Sequence, residues 1–217
     1  VLYGGTFDPV HIGHIEVATR ISKLFEIDEL LFLPAKLAPH KLTQEVTPAI
    51  HRFAMLVLGT QHDERLLVET YELDAPDRRY TVDTVAHFEA ELGASADLFF
   101  LMGADSWSEI TTWKEWQRLL TLSNHIVVTR PGYEVRLDAV GSDVEVVDLR
   151  GASKIPDLGE TVNKRVFVTD EVMTEIAATE IRGAARDERF AQLAGLVPEA
   201  VAEYIIKYKL YRETNES

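Results

Sequence analysis

Short apolar runs alternate along this chain with longer stretches whose apolar residues recur every three or four positions. Val1-Leu2-Tyr3 reads as the end of a buried strand broken by Gly4-Gly5, and Val10, Ile15, Ala18, Ile21 and Leu24 then mark one face of a helix. Leu30-Leu31-Phe32-Leu33, closed by Pro34, predicts a second strand, and 49–60 a helix. Further on, the pattern predicts strands at 66–68, 98–102 and 126–128, with helices over 82–92 (stopped by Gly93) and 113–120. Between 132 and 159 it loosens among glycines and turn residues, with 144–147 and 166–168 as further strands. The segment 179–208 reads as helical, Pro198 restarting a helix at its first turn.

Strands alternating with helices predict an α/β fold, a doubly wound parallel sheet covered on both faces, with helices at the C-terminal end. No repeat, low-complexity tract or Gly/Pro/Ser linker divides the chain, so the expectation is one domain over 1–217. Open sheets of this kind bind ligands beyond the carboxyl ends of their strands, where the strand order reverses. Chemistry is therefore expected first after the opening strand.

Composition narrows the choice of partner. With 217 residues and 46% hydrophobic content a substantial core is available. The net charge of -14, unbroken by any basic run, argues against gripping a nucleic-acid backbone, so bound anions must be held by helix N-termini, glycine loops and a few placed cations. Cys is absent, which excludes disulfides, thiol catalysis and Cys-ligated metals and fits a cytoplasmic location. No apolar run is long enough to span a bilayer, so no membrane partner is expected. The opening at Val1 predicts that native residues precede it, and 212–217 reads as a frayed tail.

The loop after the first strand is Gly4-Gly5-Thr6-Phe7-Asp8-Pro9-Val10-His11-Ile12-Gly13-His14. Glycines at a strand end allow a ligand to approach the backbone. His11 and His14, three apart, share a face of a helical first turn, where free N–H groups suit a phosphate. Together they make a site for an anion whose charge grows during reaction, each donor worth ~10²–10³ in rate. Packing histidines or a metal pair are the competing readings, the latter without the intervening Glu of the zinc-protease pattern. Far downstream, Thr179 reads as the N-cap of a helix with Arg182 in its first turn. A cation there opposes the helix dipole unless a shared anion compensates, and a triphosphate would do so.

The first of these segments resembles the His-x-Gly-His signature of the nucleotidylyltransferase superfamily, an element shared with class I aminoacyl-tRNA synthetases. Residues 176–183 resemble the family's Ile-Ser-x-Thr-x-Ile-Arg element, with Ala177 in place of the Ser. Pro39-His40-Lys41 with Arg52, Tyr80-Thr81-Val82-Asp83-Thr84, Gly103-Ala104-Asp105, Trp113 with Trp116, and Val197-Pro198 through Leu210-Tyr211 resemble the nicotinate-nucleotide adenylyltransferases in particular. Arg79 stands where that family carries Ser, which suggests an added preference for an acidic acceptor.

The resemblance implies a Rossmann-like nucleotidylyltransferase domain joining ATP and nicotinate mononucleotide into nicotinate adenine dinucleotide and pyrophosphate, a step of NAD synthesis. It implies catalytic roles for His11, His14 and Arg182, and contacts to ATP from Gly4, Gly5, Thr6, Phe7, His11, His14, Gly103, Asp105, Thr179 and Arg182. Asp8, Lys41, Tyr80, Thr81, Asp83, Trp113 and Arg130 would surround the mononucleotide, with an indole face attracting the pyridinium cation. Mg²⁺ is expected to arrive on the ATP phosphates rather than in a protein cage. Nicotinamide mononucleotide or phosphopantetheine as acceptor, and a nucleotide-binding regulator without chemistry, are the alternatives; oligomeric state stays open, a homo-oligomer included.

Overall fold

Seven strands, all paired in parallel, run in the order β3-β2-β1-β4-β5-β7-β6. They are β1 (Leu2–Gly5), β2 (Leu30–Pro34), β3 (Leu66–Val68), β4 (Phe99–Gly103), β5 (Asn124–Val128), β6 (Glu145–Asp148) and β7 (Arg165–Thr169). The structure is a computed structural model and describes residues 1–36, 46–76, 79–93, 96–129, 135, 144–156, 163–171 and 176–212. All seven predicted strands are present. Their apolar runs lack polar alternation because both faces are covered, as parallel sheets require.

Side chains leave the strands alternately. Phe32, Leu101 and Ile126 enter one core cluster, while Leu33, Phe100, Met102 and Val127 enter the other. The first face is covered by α1 (Ile12–Leu24), α2 (Ala49–Thr60), α6 (Ala178–Arg186) and α7 (Glu199–Lys207). The second is covered by α3 (Thr81–Leu92), α4 (Ala104–Ser108) and α5 (Trp116–Leu122). Among the described residues no helix is long and apolar enough to cross a membrane.

Several expectations about boundaries are corrected. Gly4 and Gly5 extend β1 rather than break it, pairing with Leu33 and Pro34, because a ladder needs only backbone. The helix predicted over 113–120 starts at Trp116, since Glu115 is left-handed (φ 48°) and 110–112 is a separate 3₁₀ turn. Trp113 and Trp116 thus keep their spacing by facing one apolar cluster, not by sharing a helix. The indole buried to 1% is Trp107, on the short α4 that the apolar pattern does not announce. Pro198 caps α7 rather than opening it, and Ala177, not Thr179, caps α6. Thr179 is one residue inside α6, so Arg182 falls in the second turn, beyond the strongest reach of the helix N-terminus.

Candidate active site

The order of strands reverses between β1 and β4, which pair with each other while their other partners lie on opposite sides. A cleft of about 180 Å³ opens at this point. His11, Gly13 and His14 line one side and Gly103, Ala104 and Asp105 the other, with Thr129 and Ile176 completing the wall. Open α/β sheets place ligands at such a reversal.

His11 is the N-cap of α1 and His14 lies three residues on, so the predicted shared face is present. Their rings stack with centroids 3.6 Å apart, and Phe7 meets His14 edge-on at 5.1 Å. The His11 backbone N–H donates to Nδ1 of His14 at 3.2 Å. That bond fixes the tautomer: with Nδ1 accepting, a neutral His14 carries its proton on Nε2 and offers a donor. Burial pushes the His11 pKa from 6.5 down to about 4. His14 is pushed well below 6.5 by burial and then by His11. Without a ligand the pair is therefore uncharged at neutral pH and acts through N–H dipoles, while Arg182 brings a full charge.

Arg182 reaches from α6 to the loop after β1, donating from Nη1 to the Asp8 carbonyl at 2.7 Å and from Nη2 to Thr179 Oγ1 at 3.1 Å. It holds Thr179 and the loop together, and neither Arg182, Thr179 nor Asp8 lines the cleft itself. The glycines work differently from the expected open approach. A Cβ on Gly5 would lie 2.7 Å from the Phe7 ring, and one on Gly4 3.2 Å from Phe100, so protein rings fill both spaces. Phe7 itself is left-handed (φ 47°) and 3% exposed, turning the loop sharply beneath Thr6. Gly5→Ala is expected to displace Phe7 and destabilise the chain by about 1–3 kcal/mol, checked by chemical denaturation.

Of the predicted mononucleotide residues, Tyr80, Thr81, Asp83 and Trp113 belong to the other face of the sheet from the histidines, whereas Asp8 lies in the histidine loop. Tyr80 caps α3, with Thr81 and Asp83 in its first turn. Lys114, which the sequence reading passed over, lies 3.2 Å from the Asp83 carboxylate and 4.5 Å over the Tyr80 ring. Its neighbour Trp113 packs edge-on to Phe100 at 6.4 Å, the same ring that fills the space beside Gly4. Phe100 thus stands between the two groups. The Arg79 guanidinium lies 4.0 Å over the Tyr71 ring and donates to its hydroxyl at 2.8 Å, which turns its charge toward Tyr71. Pro39, His40, Lys41, Arg130 and the tail 213–217 lie outside the described residues.

Arg52, which the sequence offered only as part of a motif, is a hub. It is 1% exposed and donates to the carbonyls of Thr6 at 2.8 Å, Thr47 at 2.9 Å and Lys36 at 3.5 Å. Burial lowers its pKa, and the Asp8 carboxylate opposes that effect. Among the described residues no group of three His, Asp or Glu side chains could hold a metal ion, although Asp105 stands exposed at the cleft.

Burial of imidazoles has a consequence for stability. His125 on β5 is fully buried, both ring nitrogens lack a hydrogen-bond partner, and burial lowers its pKa from 6.5 to about 4 against a weak contrary pull from the Ser123 backbone. The unfolded chain takes up protons near pH 6.5 that the folded chain refuses until about pH 4. Folded stability is thus complete above pH 6.5 and falls toward pH 4, on the order of 3 kcal/mol for each such histidine. In denaturant titrations His125→Leu is expected to flatten this slope; an unchanged slope contradicts the assignment.

A family model described as cytidylyltransferase-like matches residues 2–184. A Thermoanaerobacter sp. (strain X514) protein named "probable nicotinate-nucleotide adenylyltransferase" is 35% identical over 216 residues, covering 100% of this chain and 95% of its own. A Corynebacterium jeikeium (strain K411) protein of the same name is 34% identical over 208 residues, covering 96% and 98%. In fold, the chain is similar to Plasmodium falciparum nicotinic acid mononucleotide adenylyltransferase complexed with NaAD, with a TM-score of 0.71 at 20% identity over 97% of this chain and 95% of that one. The chain belongs to the cytidylyltransferase-like family and, within it, to the nicotinate-nucleotide adenylyltransferases.

Proposed function

We propose that this chain transfers the adenylyl group of ATP to the phosphate of nicotinate mononucleotide, forming nicotinate adenine dinucleotide and pyrophosphate. The observation that carries the reading is the stacked His11–His14 pair at the start of α1, facing Gly103 and Asp105 across the strand reversal. An acceptor phosphate oxygen attacks the α-phosphorus while the bond to the β-phosphate oxygen breaks, and no covalent enzyme intermediate is needed. The residues align the partners and receive charge as it develops on the phosphoryl oxygens. His14 donates from Nε2, His11 from the ring stacked on it, and Arg182 supplies the fixed positive charge.

Asp105 and Gly103 border the ATP side, with Thr179 held against Arg182. Tyr80, Thr81, Asp83 and Trp113 serve the mononucleotide, Trp113 by offering its ring to the pyridinium. ATP enters as its complex with a divalent cation, magnesium in this reading, which neutralises part of the triphosphate charge. The whole of 1–217 acts as one domain, and its setting is the cytoplasm. Gly103 gives a local check: a Cβ there meets nothing within 4 Å of protein, and Gly103 lines the cleft that would take ATP. Gly103→Ala should raise KM for ATP several-fold while unfolding free energy stays within about 0.5 kcal/mol.

The decisive assay is pyrophosphate release with ATP and each acceptor in turn: nicotinate mononucleotide, nicotinamide mononucleotide and phosphopantetheine. Release with the first far above the others is expected. A preference for either of the others reassigns the acceptor, and ATP binding without release with any of them points to a regulator.

A further inference from the structure

The turn after α7 places two non-glycine residues in the left-handed region, Lys209 at φ 54° and Tyr211 at φ 67°. Such backbone is costly for L side chains and persists where contacts enforce it. Here the reversal carries the Tyr211 ring back against the core on the α1–α2 face of the sheet. Its hydroxyl donates to Oδ1 of Asp8 at 2.9 Å, across 203 positions of sequence. Burial, and then the Asp8 charge, raise the phenol pKa, so the hydroxyl remains a donor at any working pH.

Asp8 is 6% exposed, and its other carboxylate oxygen accepts the Thr47 N–H at 3.2 Å. Each carboxylate oxygen of Asp8 thus has a protein partner, Tyr211 or Thr47. Its carbonyl accepts from Arg182 at 2.7 Å, and it lies three residues before His11. The Asp8 carboxylate also stabilises the charge of Arg52, which holds the Thr6 carbonyl. One short loop therefore carries the histidines at one end and receives four anchors along its length: Arg52 at Thr6, Arg182 at the Asp8 carbonyl, and Tyr211 and the Thr47 N–H at the Asp8 carboxylate.

We infer that Tyr211, acting through Asp8, is a positioning residue for adenylyl transfer: its hydroxyl fixes the Asp8 peptide against which Arg182 is aimed. The inference rests on the proposed reaction and concerns alignment. Loss of the hydroxyl should be felt in the transition state more than in ATP binding, because a misaimed donor costs most where charge is developing.

The test is Tyr211→Phe in the full chain, with kcat and KM measured at a temperature where both proteins are fully folded. The expected result is a kcat roughly 10-fold lower with KM for ATP within about twofold, and effects of Tyr211→Phe and Asp8→Asn that combine to less than their product. An unchanged kcat, a rise in KM alone, or fully independent effects of the two substitutions overturns the inference. A separate readout is the NMR signal of the Arg182 Nε–H: Tyr211→Phe should shift it, and an unmoved signal likewise overturns the inference. Because that signal needs no turnover, a wild-type chain inactive with every acceptor would count against the proposed reaction while leaving the clamp to be judged by the Arg182 signal.

Discussion

His14→Asn is expected to lower turnover by roughly 10²–10³-fold while the chain stays folded. Asn can still accept the His11 backbone N–H through Oδ1, so the local bond at the start of α1 survives. What is lost is the Nε2–H donor and the stacking on His11 at 3.6 Å. The stack contributes about 1 kcal/mol to stability, which a domain of this size tolerates. A neutral imidazole suffices for this role. Its pKa is held far below 6.5 in the free protein, and an approaching triphosphate, by its negative charge, can only raise it. Saturating ATP and mononucleotide in a pyrophosphate-release assay give the measurement. Near-normal turnover would remove this imidazole from the mechanism.

The second large effect is structural. Arg52→Met should destabilise the chain by about 3–5 kcal/mol, because it strands buried carbonyls that a guanidinium now satisfies. Two of its bonds, to Thr6 and Thr47, are short and well formed, and the third, to Lys36, is long. Residues Lys36 and Thr47 flank 37–45, where Lys41 lies, so Arg52 ties both stems of that segment to the loop that carries the histidines. Chemical denaturation reads the loss directly. A change below about 1 kcal/mol would mean that water satisfies these carbonyls and that Arg52 is not a hub.

Much of this was legible in the residues because the physics is local. A run such as Leu30-Leu31-Phe32-Leu33 has no polar face, so it must be a strand covered on both sides. Of the stripe Val10, Ile15, Ala18, Ile21 and Leu24, Ala18 and Ile21 are fully buried on α1 against that sheet. The His pair could be placed because three residues of helix always bring two side chains together. Elements set by contacts across the chain were not readable. Thr179 looks like a cap, yet its hydroxyl accepts from Arg182, and Ala177 starts the helix. Gly5 looks like room for a ligand, yet the left-handed Phe7 folds its own ring into that space. The bond between Asp8 and Tyr211 spans 203 positions, a distance no periodicity can bridge. Trp107 gave no signal because the short α4 that carries it is fixed by packing against β4, β5 and the 110–112 turn rather than by an apolar stripe.

The most direct measurement is a crystal structure of the chain with a non-hydrolysable ATP analogue. The α-phosphate should lie about 3 Å from a ring nitrogen of His11 or His14, with the remaining phosphates toward Arg182. A triphosphate bound elsewhere, with both imidazoles still facing only protein, would contradict the account.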